Sequence, residues 1–414
     1  MNRTDAWVGA AEAARALGVT RPTLYAYVSR GLIRSEPSPG ATRERRYARD
    51  DVDRLRRRAE ERRSPDKVAA HALQWGMPVL ESSITLITGE TLLYRGHDAV
   101  ALARDASVEA VASLVWTGRL DGTRPPPLPT VARNRRESAF AKNDPFILRA
   151  QAALALASAD DPQAFDIRPD SVARTGWRIL DLLVETAAPR ARGSQIDAAL
   201  ARGWGIRAGG GGEELIRAAL ILCADHELNV SAFTARCVAS AGSSPYAVVI
   251  AGLAALEGVK HGGSTARVES LLAAMRRERS LRAALTERLR QGARIGGFGH
   301  PLYQHGDPRA AALLEMLGER FPRSAELRFV REFARVATAL TGEQPNVDFG
   351  LAALSRVLGL PAASGLTLFA IGRTIGWLGH AIEQYGIDQI IRPRARYVGA
   401  LTHAPSVDRS VTVS

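Results

Sequence analysis

Histidine is scarce in this chain, eight in 414 residues, so the setting of each ring carries information. His226 lies in Ala-Asp-His-Glu-Leu-Asn, residues 224–229. His261 opens His-Gly-Gly-Ser, where the glycines leave the ring and adjacent backbone accessible, and His300 closes Gly-Gly-Phe-Gly-His ahead of Asp307-Pro308-Arg309. Each is expected at a helix end or in a loop, where backbone approaches a ligand closely. Asp348, in Pro-Asn-Val-Asp-Phe-Gly, is a carboxylate between apolar neighbours, and burial would raise its pKa toward that of a useful base. Arg373 sits inside the apolar run Phe369 to Leu378, and Arg392 lies in Ile-Arg-Pro-Arg. An arginine inside an apolar helix needs a carboxylate partner or a ligand. A carboxylate base, neutral imidazole donors and three arginines together suit proton abstraction next to a carbonyl and carbon–carbon bond formation with a polycarboxylate. The base takes the proton, hydrogen-bond donors stabilise the enol oxygen, and arginine forks hold carboxylates bidentately. Plainer readings stand beside this one: a lone histidine is more often structural, and an aspartate in such a loop is often a helix cap. A metal on His226, His261 and His300 is a further reading, but no His-x-x-x-His or His-Glu-x-x-His spacing supports it.

The elements that must position these residues are mostly helical. From residue 68 onward, alanine- and leucine-rich runs at helical spacing dominate, as in 216–222 and 311–317. One strand signal stands out, at 83–96, where two short apolar runs flank Gly89-Glu90 and predict a hairpin. Residues 117–212 carry the fewest signals; Pro125-Pro126-Pro127 and Gly209 to Gly212 read as loops, and the glycine run lacks the Lys and Ser/Thr of a phosphate loop.

The front of the chain differs. Up to Arg63 it holds 15 arginines against nine acids, half of the net +12 charge of the whole chain. Residues 8–19 read as a short alanine-rich helix stopped by Gly18. Thr20 is placed to cap a second helix that carries Pro22 near its start and runs to Gly31. Two helices joined by a glycine turn are a helix-turn-helix signature. A basic hairpin is expected around Arg43, Arg45, Arg46 and Tyr47, then a last helix capped by Asp50, with a domain boundary at Ser64-Pro65.

At 414 residues the chain exceeds what one core usually holds, and a 46% hydrophobic, 24% charged composition excludes disorder over most of its length. The basic excess favours an anionic partner, although it is almost wholly arginine, with lysine only at positions 67, 142 and 260. Two cysteines are too few for a disulfide framework or a cysteine-based zinc site, and they suit a reducing, cytoplasmic setting. The N-terminus lacks the apolar segment of a signal peptide. The longest uncharged run, 237–256, is broken at Gly-Ser-Ser-Pro, so no membrane span is expected.

Two resemblances sharpen these readings. The front segment, through A-A-x-x-L-G-V-T-x-x-T-L-Y-x-Y-V-x-x-G-L-I and R-x-Y-x-x-x-D-V-x-x-L, resembles the MerR-like or excisionase-like winged helix-turn-helix family. That likeness implies DNA binding, with Arg21, Thr23, Tyr25 and Tyr27 facing the major groove and Arg43, Arg45 and Arg46 on phosphates. In the plainer alternative Tyr25 or Tyr27 packs inside and the arginines are a solvated face, and such modules can also serve only as protein interfaces.

The remainder resembles the citrate synthase family through A-D-H-E-L-N (224–229), G-V-K-H-G-G (258–263), G-F-G-H-P-L-Y-x-x-x-D-P-R (297–309), P-N-V-D-F (345–349), G-R-T-I-G-W-L-G-H (372–380) and I-R-P-R-x-x-Y-x-G (391–399). The resemblance implies a mainly α fold, with citrate-synthase-like large (65–263 and 369–414) and small (264–368) helical domains behind a winged helix-turn-helix at 1–64. It implies condensation of acetyl-CoA with oxaloacetate to citrate and CoA, the opening reaction of the tricarboxylic acid cycle, in a homodimer. By the same likeness Asp348 is the base, His261 the donor to the thioester carbonyl and His300 the donor to the ketone. His226, Arg309 and Arg373 bind the dicarboxylate, Arg392 comes from the second subunit, and Gly297, Phe298, Gly299 and Asn346 lie against the CoA. No metal or tightly bound cofactor is implied. Many bacterial members carry Arg and Lys where this chain has Pro301 and Gln304, a departure that bears on the CoA phosphate contacts and not on the acid–base set. Propionyl-CoA in place of acetyl-CoA, giving 2-methylcitrate, stays open, as does a DNA-binding regulator whose helical body senses CoA esters or dicarboxylates.

Overall fold

A computed structural model describes residues 7–38, 45–53, 55, 80–122, 124, 144–189, 195–395 and 397–399. The chain separates into two compact units, Met1–Glu81 and Ser82–Ser414. The sequence-based boundary at Ser64-Pro65, Arg43 and the Pro125-Pro126-Pro127 loop lie outside the described residues.

In the first unit, β1 (Trp7–Gly9) leads into α1 (Ala10–Leu17) and α2 (Arg21–Ser29), followed by β2 (Ser35–Pro37) and β3 (Arg45–Ala48). Gly18 takes φ +65 and ends α1 as expected, while Thr20 precedes α2 with its hydroxyl bonded to that of Thr23 and not to a backbone amide. Two expectations are corrected. Trp7–Gly9 is a strand, because Val8 pairs with Tyr47 across an antiparallel ladder ordered β1-β3-β2. Asp50 lies inside the last helix, which is already helical at Arg49, and its neighbour Asp51 is buried, accepting from the backbone and guanidinium of Arg34. A small core of Val8, Ala13, Leu17, Leu24, Ile33 and Tyr47 closes the unit.

The second unit starts with the expected hairpin, β4 (Thr85–Ile87) and β5 (Leu92–Tyr94), joined by the short β6 (His97–Asp98) in an antiparallel sheet. Helices follow: α3 (Ala99–Asp105), α4 (Val108–Thr117), α5 (Phe146–Asp160), α6 (Pro169–Ala187), α7 (Ile196–Gly203), α8 (Gly212–Leu222), α9 (Val230–Ser240) and α10 (Pro245–Leu256). Next come α11 (Gly263–Met275), α12 (Leu281–Arg290), α13 (Pro308–Arg320), α14 (Ala325–Thr341), α15 (Val347–Leu358) and α16 (Ser364–Ile387). Among its described residues the weakly patterned stretch 117–212 holds α5, α6 and α7, and the glycine run 209–212 is the connector into α8, with Gly211 at φ +78.

Helix α16 is the axis of this unit. It is mostly apolar and buried on all sides from Thr367 to Ala381, as befits a helix in the centre of a core. Its glycines permit backbone-close packing: a Cβ on Gly372 would stand 2.5 Å from the Leu220 carbonyl, and one on Gly376 would stand 2.4 Å from the Ala224 carbonyl. This contact presses the loop after α8, with His226, against the turns of α16 that carry Arg373 and His380. No helix among the described residues is long and apolar enough to cross a membrane.

Candidate active site

The loop 223–229 between α8 and α9 carries His226. Its ring is buried, with Nε2 2.9 Å from the Tyr303 hydroxyl and its centroid 5.1 Å from that of His300. Burial holds the His226 pKa well below the ordinary value, and the positive charges of Arg309 and Arg373 push it the same way. His226 is therefore a neutral imidazole at pH 7.

His300 and Tyr303 sit in the turn before α13, ring centroids 4.9 Å apart. The Leu302 amide donates to His300 Nδ1 at 3.2 Å, which places the neutral ring's proton on Nε2. Burial, aided by Arg309, lowers the His300 pKa to about 4.

Asp307 caps α13 and is buried with Arg309, whose Nε and Nη2 grip its two carboxylate oxygens at 2.9 and 2.8 Å. The Val347 amide also donates to Asp307, tying the start of α15 to this pair. Burial opposes the charge on each partner, but their attraction wins: the Asp307 carboxyl is held below its usual range and the Arg309 guanidinium above.

Arg373, buried in α16, donates from Nε to the Cys223 carbonyl at 2.7 Å and lies 4.7 Å over the Phe369 ring. Its Nη2 is buried with no hydrogen-bond partner. A guanidinium N–H left unsatisfied inside a protein is costly unless something else meets it, and a ligand carboxylate is the natural partner.

His261 closes the site from the turn before α11. Its Nε2 lies 2.8 Å from Ser231 Oγ, which also accepts from Trp377 Nε1 and donates to Asn229 Oδ1 at 2.7 Å. Ser231 has one hydroxyl proton: held on Asn229 it leaves Nε2 of His261 to donate, and turned to Nε2 it leaves His261 protonated on Nδ1. Burial, with Arg373 adding to it, lowers the His261 pKa to about 4.

Asp348 stands in the first turn of α15, behind the Asn346 cap. It accepts from the Thr265 hydroxyl in the first turn of α11. The residue keeps a partly accessible face, as a ligand-touching group must, yet burial pushes its carboxyl up, against the pull of Thr265, Ser264 and Arg309. The arrangement couples a carboxylate of raised basicity to neutral imidazoles and two buried guanidiniums. Among the described residues no group of three or more His, Cys, Asp or Glu could hold a metal ion.

Other predicted positions stand apart. Arg392 is exposed on the segment after α16 and meets none of these residues within one chain. The Phe298 ring is buried, 5.1 Å from Phe349 and 6.1 Å from Phe333, because the glycine turn folds it into the core, which leaves the backbone of the turn as the part that could meet a CoA. That backbone is partly engaged. The Gly299 amide donates to Gln344, the Gly297 carbonyl accepts from the Asn346 amide, and Asn346 Nδ2 donates to the Gly299 carbonyl. In the first unit Arg21 and Tyr25 are exposed and Thr23 is half-buried, whereas Tyr27 packs on the small core. Arg45 bonds Ser35, and Arg46 pairs with Glu36 at 2.6 Å while lying 5.5 Å over Trp7, which spends its charge within the unit.

Sequence reasoning missed the supporting residues Tyr303, Asp307, Ser231 and Thr265. Tyr303 and Asp307 are near His300 and Arg309 in sequence, so their spacing held a signal; Ser231 and Thr265 had none.

The chain matches the family model "Citrate synthase, C-terminal domain" over residues 178–394 and "Helix-turn-helix domain" over residues 7–60. It is 30% identical to citrate synthase 2 of Bacillus subtilis over 351 residues, covering 78% of this chain and 94% of that one. Over a shorter span, 44% of this chain and 48% of the other, it is 33% identical to 2-methylcitrate synthase 2 of Corynebacterium glutamicum. The crystal structure of citrate synthase from Thermotoga maritima superposes with a TM-score of 0.63 at 27% identity, covering 80% of this chain and 96% of that one. The ternary complex of Thermoplasma acidophilum citrate synthase with carboxymethyl coenzyme A and oxaloacetate shares the fold, with a TM-score of 0.66 at 23% identity over 80% and 97% of the two chains.

Proposed function

The chain belongs to the citrate synthase family, with a helix-turn-helix domain ahead of the enzyme body, and from that premise we propose that it condenses acetyl-CoA with oxaloacetate to citrate and CoA. The observation that carries the reading is the buried Arg373 with its unpaired Nη2, set among neutral histidines and a basic, partly accessible Asp348. Asp348 removes a methyl proton from acetyl-CoA while His261, protonated on Nδ1 when Ser231 donates to its Nε2, gives a hydrogen bond to the thioester oxygen. The enol carbon attacks the ketone of oxaloacetate, and the new alkoxide takes the proton held on His300 Nε2. Water then cleaves citryl-CoA, releasing citrate and CoA.

His226, Arg373 and the outer nitrogen of Arg309 hold the two carboxylates, and Arg392 enters from the second subunit of a homodimer. Residues 264–368 form a small domain that closes over the substrates and excludes water, against a large domain of 65–263 and 369–414. The setting is the cytoplasm, and the reaction is entry to the tricarboxylic acid cycle. Purified full-length protein supplied with both substrates, with thiol release followed, tests the reading; a folded dimer without turnover refutes it. Propionyl-CoA run alongside decides the 2-methylcitrate alternative, since one methylene is worth only about 1–3 kcal/mol of discrimination.

The front unit carries exposed Arg21 and Tyr25 beside Thr23 on α2, with Arg45 on the hairpin, and these favour a DNA groove and backbone as its partner. A shift assay of the full chain on DNA fragments at rising salt tests it. Binding that does not weaken with salt contradicts phosphate contacts.

A further inference from the structure

His226 is held by a loop whose shape is imposed from outside. Glu227, the next residue, adopts φ +51, a left-handed conformation unusual for a residue with a side chain. Such geometry persists only where surroundings over-determine it, and it clusters at ligand clamps. Here the surroundings are specific. The buried Asp225 carboxylate accepts from the Thr85 hydroxyl at 2.6 Å and from the Glu227 amide at 3.1 Å, through Oδ2 in both cases. Its other oxygen, Oδ1, lies 3.3 Å from His380 Nε2, with both side chains wholly buried. That separation pairs the groups without hydrogen-bond alignment, since neither atom has a hydrogen-bond partner.

The hairpin supplies the rest. Thr85 and Tyr94 are register partners in β4 and β5, and cross-strand neighbours project from the same face. Both reach this loop: the Tyr94 hydroxyl lies within 3.3 Å of the carbonyls of Ile221, Leu222 and Asp225. Two residues along β4, the Ile87 amide donates to the Glu227 carboxylate at 3.2 Å. From the opposite side the Gly376 amide donates to the Ala224 carbonyl at 2.9 Å, so the loop is clamped between hairpin and α16.

We propose that Asp225, gripped by Thr85 of the hairpin and backed by His380 of α16, is a positioning residue that holds the His226 loop in its oxaloacetate-binding shape. The inference rests on the condensing-enzyme reading of the site. None of the three side chains is assigned to touch substrate; each acts through the loop.

Paired variants of the full-length protein test it. Thr85→Val keeps the shape and removes the hydroxyl, while Thr85→Ser keeps the hydroxyl. Losing a hydrogen bond to a carboxylate predicts a rise of about tenfold in the oxaloacetate KM of Thr85→Val. The acetyl-CoA KM should stay within about twofold, and Thr85→Ser should restore the oxaloacetate KM. Asp225→Asn, the second variant, should raise the oxaloacetate KM further. An oxaloacetate KM unchanged in both Thr85→Val and Asp225→Asn, or a rise matched equally by the acetyl-CoA KM and a falling Tm, overturns the proposal, because only a structural role predicts the latter. If the wild type shows no turnover, the condensing reading fails by itself. The same variants are then judged by oxaloacetate affinity in calorimetry, where equal affinities overturn the positioning role.

Discussion

The hydroxyl of Tyr303 and Nε2 of His226 stand 2.9 Å apart, both side chains buried and joined across 77 residues. The contact fixes the ring that faces His300. Tyr303→Phe removes it without changing the packing volume, and a neutral hydrogen bond is worth about 1 kcal/mol. The expected outcome is a roughly fivefold higher oxaloacetate KM with a Tm lowered by no more than about 4 °C, read from steady-state kinetics and thermal melts.

Asp348→Asn keeps the Thr265 contact within reach but removes the proposed base. Turnover should fall by at least about a thousandfold, toward the upper part of what general-base catalysis supplies. Oxaloacetate binding by calorimetry should persist, because the carboxylate contacts proposed for Arg309 and Arg373 do not involve Asp348. Residual activity within tenfold of wild type would move the base elsewhere.

The histidine shifts set a pH dependence of stability. His261 and His300 take up a proton near 6.5 in the unfolded chain but only near 4 when folded, and His226 shifts in the same direction. Between those values the unfolded chain binds more protons, so stability falls as pH is lowered from about 6.5 and the loss from His261 and His300 levels off below about 4. Denaturant midpoints across this window should show the slope, and His300→Gln should make it shallower.

Asp307 and Arg309 are a buried pair, and removing one partner strands the other's charge. Asp307→Asn should cost about 3–5 kcal/mol, read as a lower denaturant midpoint. Replacement of the exposed Arg335, paired with Glu332 on the surface of α14, should cost under about 1 kcal/mol in the same experiment.

In the front unit, Arg46 is already satisfied by Glu36 and Trp7, whereas Arg21 is exposed on α2. Arg21→Ala should weaken DNA binding and flatten the salt dependence by about one unit of slope. Arg46→Ala should mainly lower the melting temperature of the unit, with a smaller change in that slope.

The local features were legible because their causes are local. Gly18 ends α1, the Gly89-Glu90 turn makes a hairpin, and glycine-flanked histidines sit in loops, each through backbone preferences of a few adjacent residues. Trp7–Gly9 shows the limit: alanine-rich sequence favoured a helix from Val8, but pairing with Tyr47, 39 residues on, makes a strand. The Phe298 ring shows the same limit, since its packing on Phe333 and Phe349 is set by residues 35 and 51 positions further along the chain.

By itself the sequence determined the kind of chemistry, the family, the helical body and the basic helix-turn-helix ahead of it, because residue type, spacing and periodicity are properties of the chain. Only the tertiary structure decided which tautomer His300 holds, that Arg309 is half-consumed by Asp307, that Arg373 keeps an unmet N–H, and that Thr85, Asp225 and His380 meet around the His226 loop. Those facts depend on desolvation and on partners up to 155 residues apart, brought together by the glycine faces of α16, and no local pattern encodes such a meeting.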